Sequence, residues 1–183
     1  MEEGRKRNSD MSLNEVYFWT STIVEWKHLL KPDKYKEILT GSLRTLKERQ
    51  CINIYGFVLM PNHIHIIWEL LKMNGKEMPD SSFTKFTAHQ FKKDLNVYHP
   101  NVLEVFRTNK EDRNYQFWQR DPLAVALTSK DMVLQKLEYV HNNPLNERWN
   151  LSDRPENYKW SSSKFYETEI DEFGFLTHIS ERF

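Results

Sequence analysis

The chain has a single cysteine, Cys51, so no disulfide can close within it and no thiolate cluster can hold zinc. It also lacks any run near the ~20 continuous apolar residues that cross a bilayer. The basic stretch Arg5-Lys6-Arg7 has no apolar segment of signal-peptide length behind it. A reducing, cytoplasmic setting is expected, with no membrane partner. Glycine is scarce, at 5 residues, which argues against a turn-rich barrel. Net charge is lacking too, since 26 basic residues meet 26 acidic ones, and this argues against a protein that coats nucleic acid nonspecifically. The balance is uneven: residues 166–183 sum to −4 and residues 1–165 to +4, enough for a local basic groove.

What is present is apolar and aromatic. Hydrophobic residues make up 39% of 183, enough for one substantial core, and the 6 Trp, 8 Tyr and 11 Phe supply either core rings or a stacking surface. Residues 1–13 are polar and read as a flexible arm, and residues 14–183 as one domain with a C-terminal extension. VYFWTSTIV, residues 16–24, has the aromatic and β-branched content of a buried strand. In PDKYKEILTGSLRTLKERQ the residues Tyr35, Ile38, Leu39, Leu43 and Leu46 fall on one helical stripe. INIYGFVLM and HIHIIWEL flank Met60-Pro61-Asn62, too short a link for anything but a hairpin reversal.

Further on, SSFTKFTAHQFKKDL spaces Phe83, Phe86, Phe91 and Leu95 for a second amphipathic helix flanked by Lys85, Lys92 and Lys93. Residues 96–128 divide into no clear elements. From the N-cap Ser129, KDMVLQKLEYVHNN reads as a third helix that Pro144 stops, and DEFGFLTHI reads as an edge strand or docked tail. Strands interleaved with helices and joined by a tight turn indicate an α+β sandwich on an antiparallel sheet.

Two patterns carry chemistry. Strand side chains alternate, so His63 and His65 share one face with Ile67 and Glu69, while Ile64, Ile66 and Trp68 take the other. Alternate residues lie ~7 Å apart, a gap two imidazoles close by tilting toward one ion at ~2.1 Å. Glu69 is about 13 Å along the strand from His65, too far to join them. With no thiolates, two imidazoles plus oxygen donors suit Mg²⁺ or Mn²⁺ helped by phosphate oxygens, and zinc stays open. On the third helix, at 100° per residue, Val133, Leu137 and Val140 form the buried stripe, and Met132, Lys136, Tyr139 and Asn143 form a second stripe beside it. Tyr139 then stands at the edge of the core, with a cation one turn before it and a neutral carbonyl one turn after. Asn143 precedes Pro144, which biases it away from helical dihedrals. A free phenol, of pKa ~10, is a weak nucleophile at neutral pH. A divalent ion on the phosphate and nearby cations remedy that, and a phosphotyrosine link stores bond energy for rejoining.

YGFVLMPNHIHII resembles the His-hydrophobic-His motif of single-tyrosine transposases, and KLEYVHNNP resembles their catalytic helix, above all in the repeat-associated tyrosine transposases. QFWQRD at 116–121 and YKWSSSKFY at 158–166 are similar to the same branch, so the resemblance spans residues 14–166. It implies a ferredoxin-like or RRM-like fold with the histidine strand central in an antiparallel sheet. It implies that Tyr139 attacks single-stranded DNA beside a hairpin, leaving a 5′-phosphotyrosine and a free 3′-hydroxyl, in the service of transposition or recombination. It also implies His63, His65 and Asn143 as ligands of Mg²⁺ or Mn²⁺, in a monomer or homodimer.

Lys136, Lys85, Lys92, Lys93 and Arg120 are the candidate DNA contacts, and Trp118 reads better as a buried ring than as a stacking surface. Two rivals stand beside this reading. His63-x-His65-x-x-x-Glu69 nearly imitates a cupin ligand set but its glycine spacings are off by one. A non-catalytic hairpin binder derived from a transposase would share every feature except turnover.

Overall fold

The computed structural model describes residues 9–183. Its order is β1 (Val16–Thr22), α1 (Asp33–Glu48), β2 (Ile52–Leu59), β3 (His63–Leu70), α2 (Pro79–Tyr98), α3 (Pro100–Glu104), β4 (Leu123–Ala126), α4 (Lys130–Asn142) and α5 (Ser163–Thr168), with short 3₁₀ turns between. The four strands form one antiparallel sheet in the order β2-β3-β1-β4. With a helix after β1 and another after β3, this is the ferredoxin-like β-α-β-β-α-β arrangement. The sandwich expected from the sequence is therefore present.

The period of two along β3 decides which layer each side chain joins. Ile64, Ile66 and Trp68 enter the larger core with Trp19, Leu39, Leu43, Phe83 and Phe91, beneath α1 and α2. Ile67 enters a smaller core with Phe18, Val58, Val133, Leu137 and Val140, beneath α4. Met60-Pro61-Asn62 makes the expected reversal, closed by Met60 N–H donating to the His63 carbonyl at 2.8 Å.

In α2 the expected stripe shifts. Phe83, Thr87, Phe91 and Leu95 are buried, while Phe86 is 49% exposed. An i+4 row keeps to one side of this helix, and Phe86, three residues after Phe83, rotates off it. The undivided stretch 96–128 holds the end of α2, α3 and the short edge strand β4. The C-terminal segment docks as a tail: Thr177 N–H donates to the Ile54 carbonyl at 2.8 Å, and Phe173 and Phe175 pack on Phe57. Of the arm expected over residues 1–13, residues 1–8 lie outside those described, and Met11 and Leu13 pack against the core.

A bulge between Ile54 and Gly56 brings β2 close under α4. A Cβ at Gly56 would collide with Leu137 Cδ1 and meet Ser162 Oγ at 3.4 Å. Gly56→Ala should therefore displace Leu137 and lift α4, costing about 1–3 kcal/mol. Gly41, inside α1, has nothing within 4 Å of such a Cβ, so Gly41→Ala should stabilise by up to ~1 kcal/mol. Thermal unfolding of the two variants should move in opposite directions.

Candidate active site

All eight residues of β3 are buried, including three polar ones on the α4 face. Buried polar groups need partners, and each of the three residues has at least one. Glu69 accepts from Tyr55 Oη at 2.7 Å and from Arg182 Nε at 3.2 Å, which commits it to the C-terminal tail and away from the histidines. His63 Nδ1 lies 2.7 Å from Asn62 Oδ1. The Asn62 amide nitrogen donates to the Trp26 carbonyl at 3.0 Å, so its oxygen faces His63 and Nδ1 must carry the proton. His65 Nδ1 lies 2.7 Å from Thr20 Oγ1, its direct cross-strand partner. Phe18 stacks on the His65 ring at 5.2 Å between centroids.

Tyr139 reaches this pair from α4. Ser129 caps the helix by accepting from Met132 N–H at 3.3 Å, and Val133, Leu137 and Val140 bury its inner stripe. Beside that stripe, one residue before Val140, Tyr139 is 50% exposed. Its ring meets His65 at 5.4 Å and Phe18 at 5.9 Å, edge to face. The two histidine rings lie 4.7 Å apart. Lys136 places Nζ 4.9 Å from the Phe18 ring centre and 5.7 Å from that of Tyr139.

Asn143 departs from the expectation that Pro144 would push it out of the helix. It keeps φ −55°, ψ −42°, because α4 runs straight into a 3₁₀ turn, Asn143–Leu145, with Pro144 in its first turn. Pro144 is buried, and this packing offsets the pre-proline crowding. Asn143 is partly buried one turn beyond Tyr139.

Burial sets the protonation of this face. It pushes His63 down to about 4, helped by the Arg148 charge, and His65 down to about 3, helped by His63 and Lys136. His141, on the adjoining side of α4, also falls to about 4 through burial, with Nε2 2.8 Å from Ser162 Oγ. All three are neutral at pH 7 when folded. The unfolded chain protonates them near 6.5, so it binds more protons than the folded one below that value. Their contribution is fully present above pH 6.5 and is lost as pH falls toward 4. With divalent ions removed by a chelator, stability should drop by on the order of 1 kcal/mol per pH unit per histidine across that window. Thermal unfolding between pH 7.5 and 4.5 measures it.

The residues present fit a divalent ion. His65 Nε2 is buried with no hydrogen-bond partner, an orphan that a ligated cation would satisfy. Asn62 fixes the proton of His63 on Nδ1 and so leaves its Nε2 as a lone-pair donor, and Thr20 engages His65 at Nδ1 and turns its Nε2 away from the β1 side, the arrangement that orients metal-binding histidines. Among the described residues no three His, Cys, Asp or Glu side chains gather, so a third protein ligand has to be a neutral oxygen.

The other predicted contacts lie elsewhere. Lys85, Lys92 and Lys93 sit on α2, across the sheet from the histidines. Lys85 pairs with Glu77, and Lys92 lies over the Tyr115 ring at 5.4 Å. Arg120 pairs with Asp112 at 3.2 Å. A cavity of about 740 Å³ lined by Lys85, Arg120, Trp19 and Ser21 also lies on the α2 side, away from the histidines. Trp118 is in the core, donating from Nε1 to Thr87 Oγ1 at 3.0 Å.

Three supporting residues escaped the sequence reading. Thr20 and Phe18 can be assigned to His65 only once the β1–β3 register is known. Asn62 carried a weak signal, as the turn residue immediately before His63.

Fold and site together define a class: a ferredoxin-like sandwich whose central strand presents a His-hydrophobic-His pair beneath a tyrosine-bearing helix. Among solved structures the chain is similar in fold to a REP-associated tyrosine transposase bound to a REP hairpin, with a TM-score of 0.62 and 16% identity over 98% of this chain and 93% of that one. It is also similar to a putative transposase from Deinococcus radiodurans R1, with a TM-score of 0.42 and 14% identity over 78% of this chain and 97% of the other. No family model and no curated protein matches the sequence.

Proposed function

We propose that this protein is a metal-dependent single-strand DNA endonuclease and strand transferase that cuts beside a DNA hairpin through Tyr139. The observation carrying the proposal is the meeting of the Tyr139 ring with a neutral, orphaned His65 on one face of the sheet. A hairpin substrate is supported by the fold shared with a transposase bound to one.

In this reading Tyr139 Oη forms a bond to phosphorus while the bond from phosphorus to the 3′-oxygen breaks. The DNA 5′-phosphate is left esterified to the tyrosine, and the proton lost by the phenol is balanced by the one gained by the departing 3′-hydroxyl. Joining is the reverse step with a second 3′-hydroxyl. His63, His65 and Asn143 would hold Mg²⁺ or Mn²⁺, whose chemistry is to polarise the phosphate oxygens. Asn62 holds His63 in the ligating tautomer, Thr20 orients the His65 ring, and Lys136 supplies positive charge where the phosphate must lie. A strand in this cleft meets Lys85, Lys92 and Lys93 only by passing round the sheet edge.

The test is incubation with a labelled hairpin oligonucleotide carrying single-stranded flanks, with Mg²⁺ or Mn²⁺, followed by denaturing electrophoresis. A protein–DNA adduct supports the proposal. Tight binding with no adduct under either metal would replace it with the hairpin-binder reading.

A further inference from the structure

Beyond the histidine pair, on the side away from Tyr139, two indoles flank His63. Trp26 meets it at 6.2 Å and Trp149 at 5.8 Å, whereas Tyr139 meets His65. Trp26 is 52% exposed, a large apolar ring left in solvent. The turn that presents it is strained: Glu25 and Trp26 have φ of 54° and 57°, two successive left-handed residues with no glycine. This turn is tied to the site, because buried Asn62 donates to the Trp26 carbonyl while its oxygen holds His63. Trp149 comes from the loop after α4, only six positions past Asn143, and is braced by Trp149 N–H donating to the Asn146 carbonyl at 2.8 Å. Arg148 lies over the Trp149 ring at 5.3 Å and has no ion-pair partner among the described residues. Strained backbone, an exposed indole and an unpaired cation beside a candidate reaction centre are the components of a single-strand binding surface.

We infer that Trp26 and Trp149 clamp one unpaired nucleobase of the DNA strand next to the scissile phosphate, with Arg148 on the adjoining backbone. This rests on the proposed nuclease reading and adds where the strand lies. In-line displacement sets the leaving 3′-oxygen opposite the attacking phenol. The indoles stand on that opposite side, so the clamped nucleotide is the one that departs with the free 3′-hydroxyl. Held there, it stays positioned for the joining step.

The experiment uses the full chain carrying Tyr139→Phe, so that binding is read without cleavage. Affinity is measured for a hairpin oligonucleotide with single-stranded flanks and for a series in which each flank nucleotide in turn is made abasic. A single abasic position, immediately 5′ of the cut mapped with the wild-type protein, should weaken binding roughly 5- to 100-fold. Adding Trp26→Ala or Trp149→Ala should erase that penalty, and Trp26→Phe should restore most of it. Unchanged thermal unfolding of Trp149→Ala separates the effect from misfolding. An abasic penalty that persists in the double alanine variant, or one confined to the 3′ side of the cut, overturns the clamp while adduct formation keeps the nuclease reading standing. No binding to any flanked hairpin and no adduct overturns both.

Discussion

Tyr139→Phe should abolish the covalent DNA adduct and lower strand cleavage by roughly 10³-fold or more, with the fold intact. The substitution removes one oxygen. Tyr139 Oη makes no hydrogen bond to any described residue, and the ring contacts with His65 and Phe18 survive in phenylalanine. A half-exposed residue with those properties should change stability by no more than ~0.5 kcal/mol. Denaturing electrophoresis reads the adduct, thermal unfolding reads the fold, and hairpin affinity should be unchanged. This combination separates a nucleophile from a structural ring. Loss of adduct together with lost binding or a large fall in Tm would make Tyr139 a packing residue. An adduct that persists would move the nucleophile to another of the tyrosines. The buried tyrosines are committed elsewhere, Tyr17 donating to Glu15, Tyr35 to Asp94 and Tyr55 to Glu69, and the half-buried Tyr158 and Tyr166 donate to backbone carbonyls.

Much of this site could be read from spacing because helix and strand periods act locally. The alternation along HIHIIWEL put His63 and His65 opposite Ile64, Ile66 and Trp68, and the two cores divide along that line. The 100° step along α4 put Tyr139 beside the stripe of Val133, Leu137 and Val140, where it stands. Sequence spacing could not show what depends on distant chain segments. Thr20 partners His65 because β1 lies beside β3 in one register, and a slip by one residue would bring Trp19 or Ser21 there instead. The left-handed turn at Glu25 and Trp26 has none of the glycine or asparagine that marks such turns. Strand β4 is four residues at a sheet edge, half exposed, with too little alternation to declare itself. Phe86 stays outside the core because its angle on α2, and not its aromatic ring, decides which side it faces.

His65→Ala should lower cleavage by roughly 10²- to 10⁴-fold while leaving hairpin affinity within a few fold, since several kcal/mol of charge stabilisation act only on the reacting phosphate. His63→Ala should behave alike. Asn143→Ala should be milder, because a neutral oxygen contributes less to a cation's field than a fixed imidazole does. The supporting residues give a finer test. Thr20→Val removes the hydroxyl beside His65 Nδ1 and keeps the β-branched shape. Its effect should be a 10- to 100-fold rise in the Mn²⁺ concentration needed for half-maximal adduct yield, with little change at saturating metal. Titrating Mn²⁺ against adduct yield and, separately, against thermal stability distinguishes a ligand defect from a folding defect. The ordering His65→Ala, then Thr20→Val, follows from which atom each change removes: the first deletes the buried, unpartnered Nε2, and the second deletes the group that holds Nε2 in position. If all the histidine and asparagine variants instead lost hairpin binding equally, and Tm fell with it, the imidazoles would be core residues of the sheet and the metal site would be lost from the proposal.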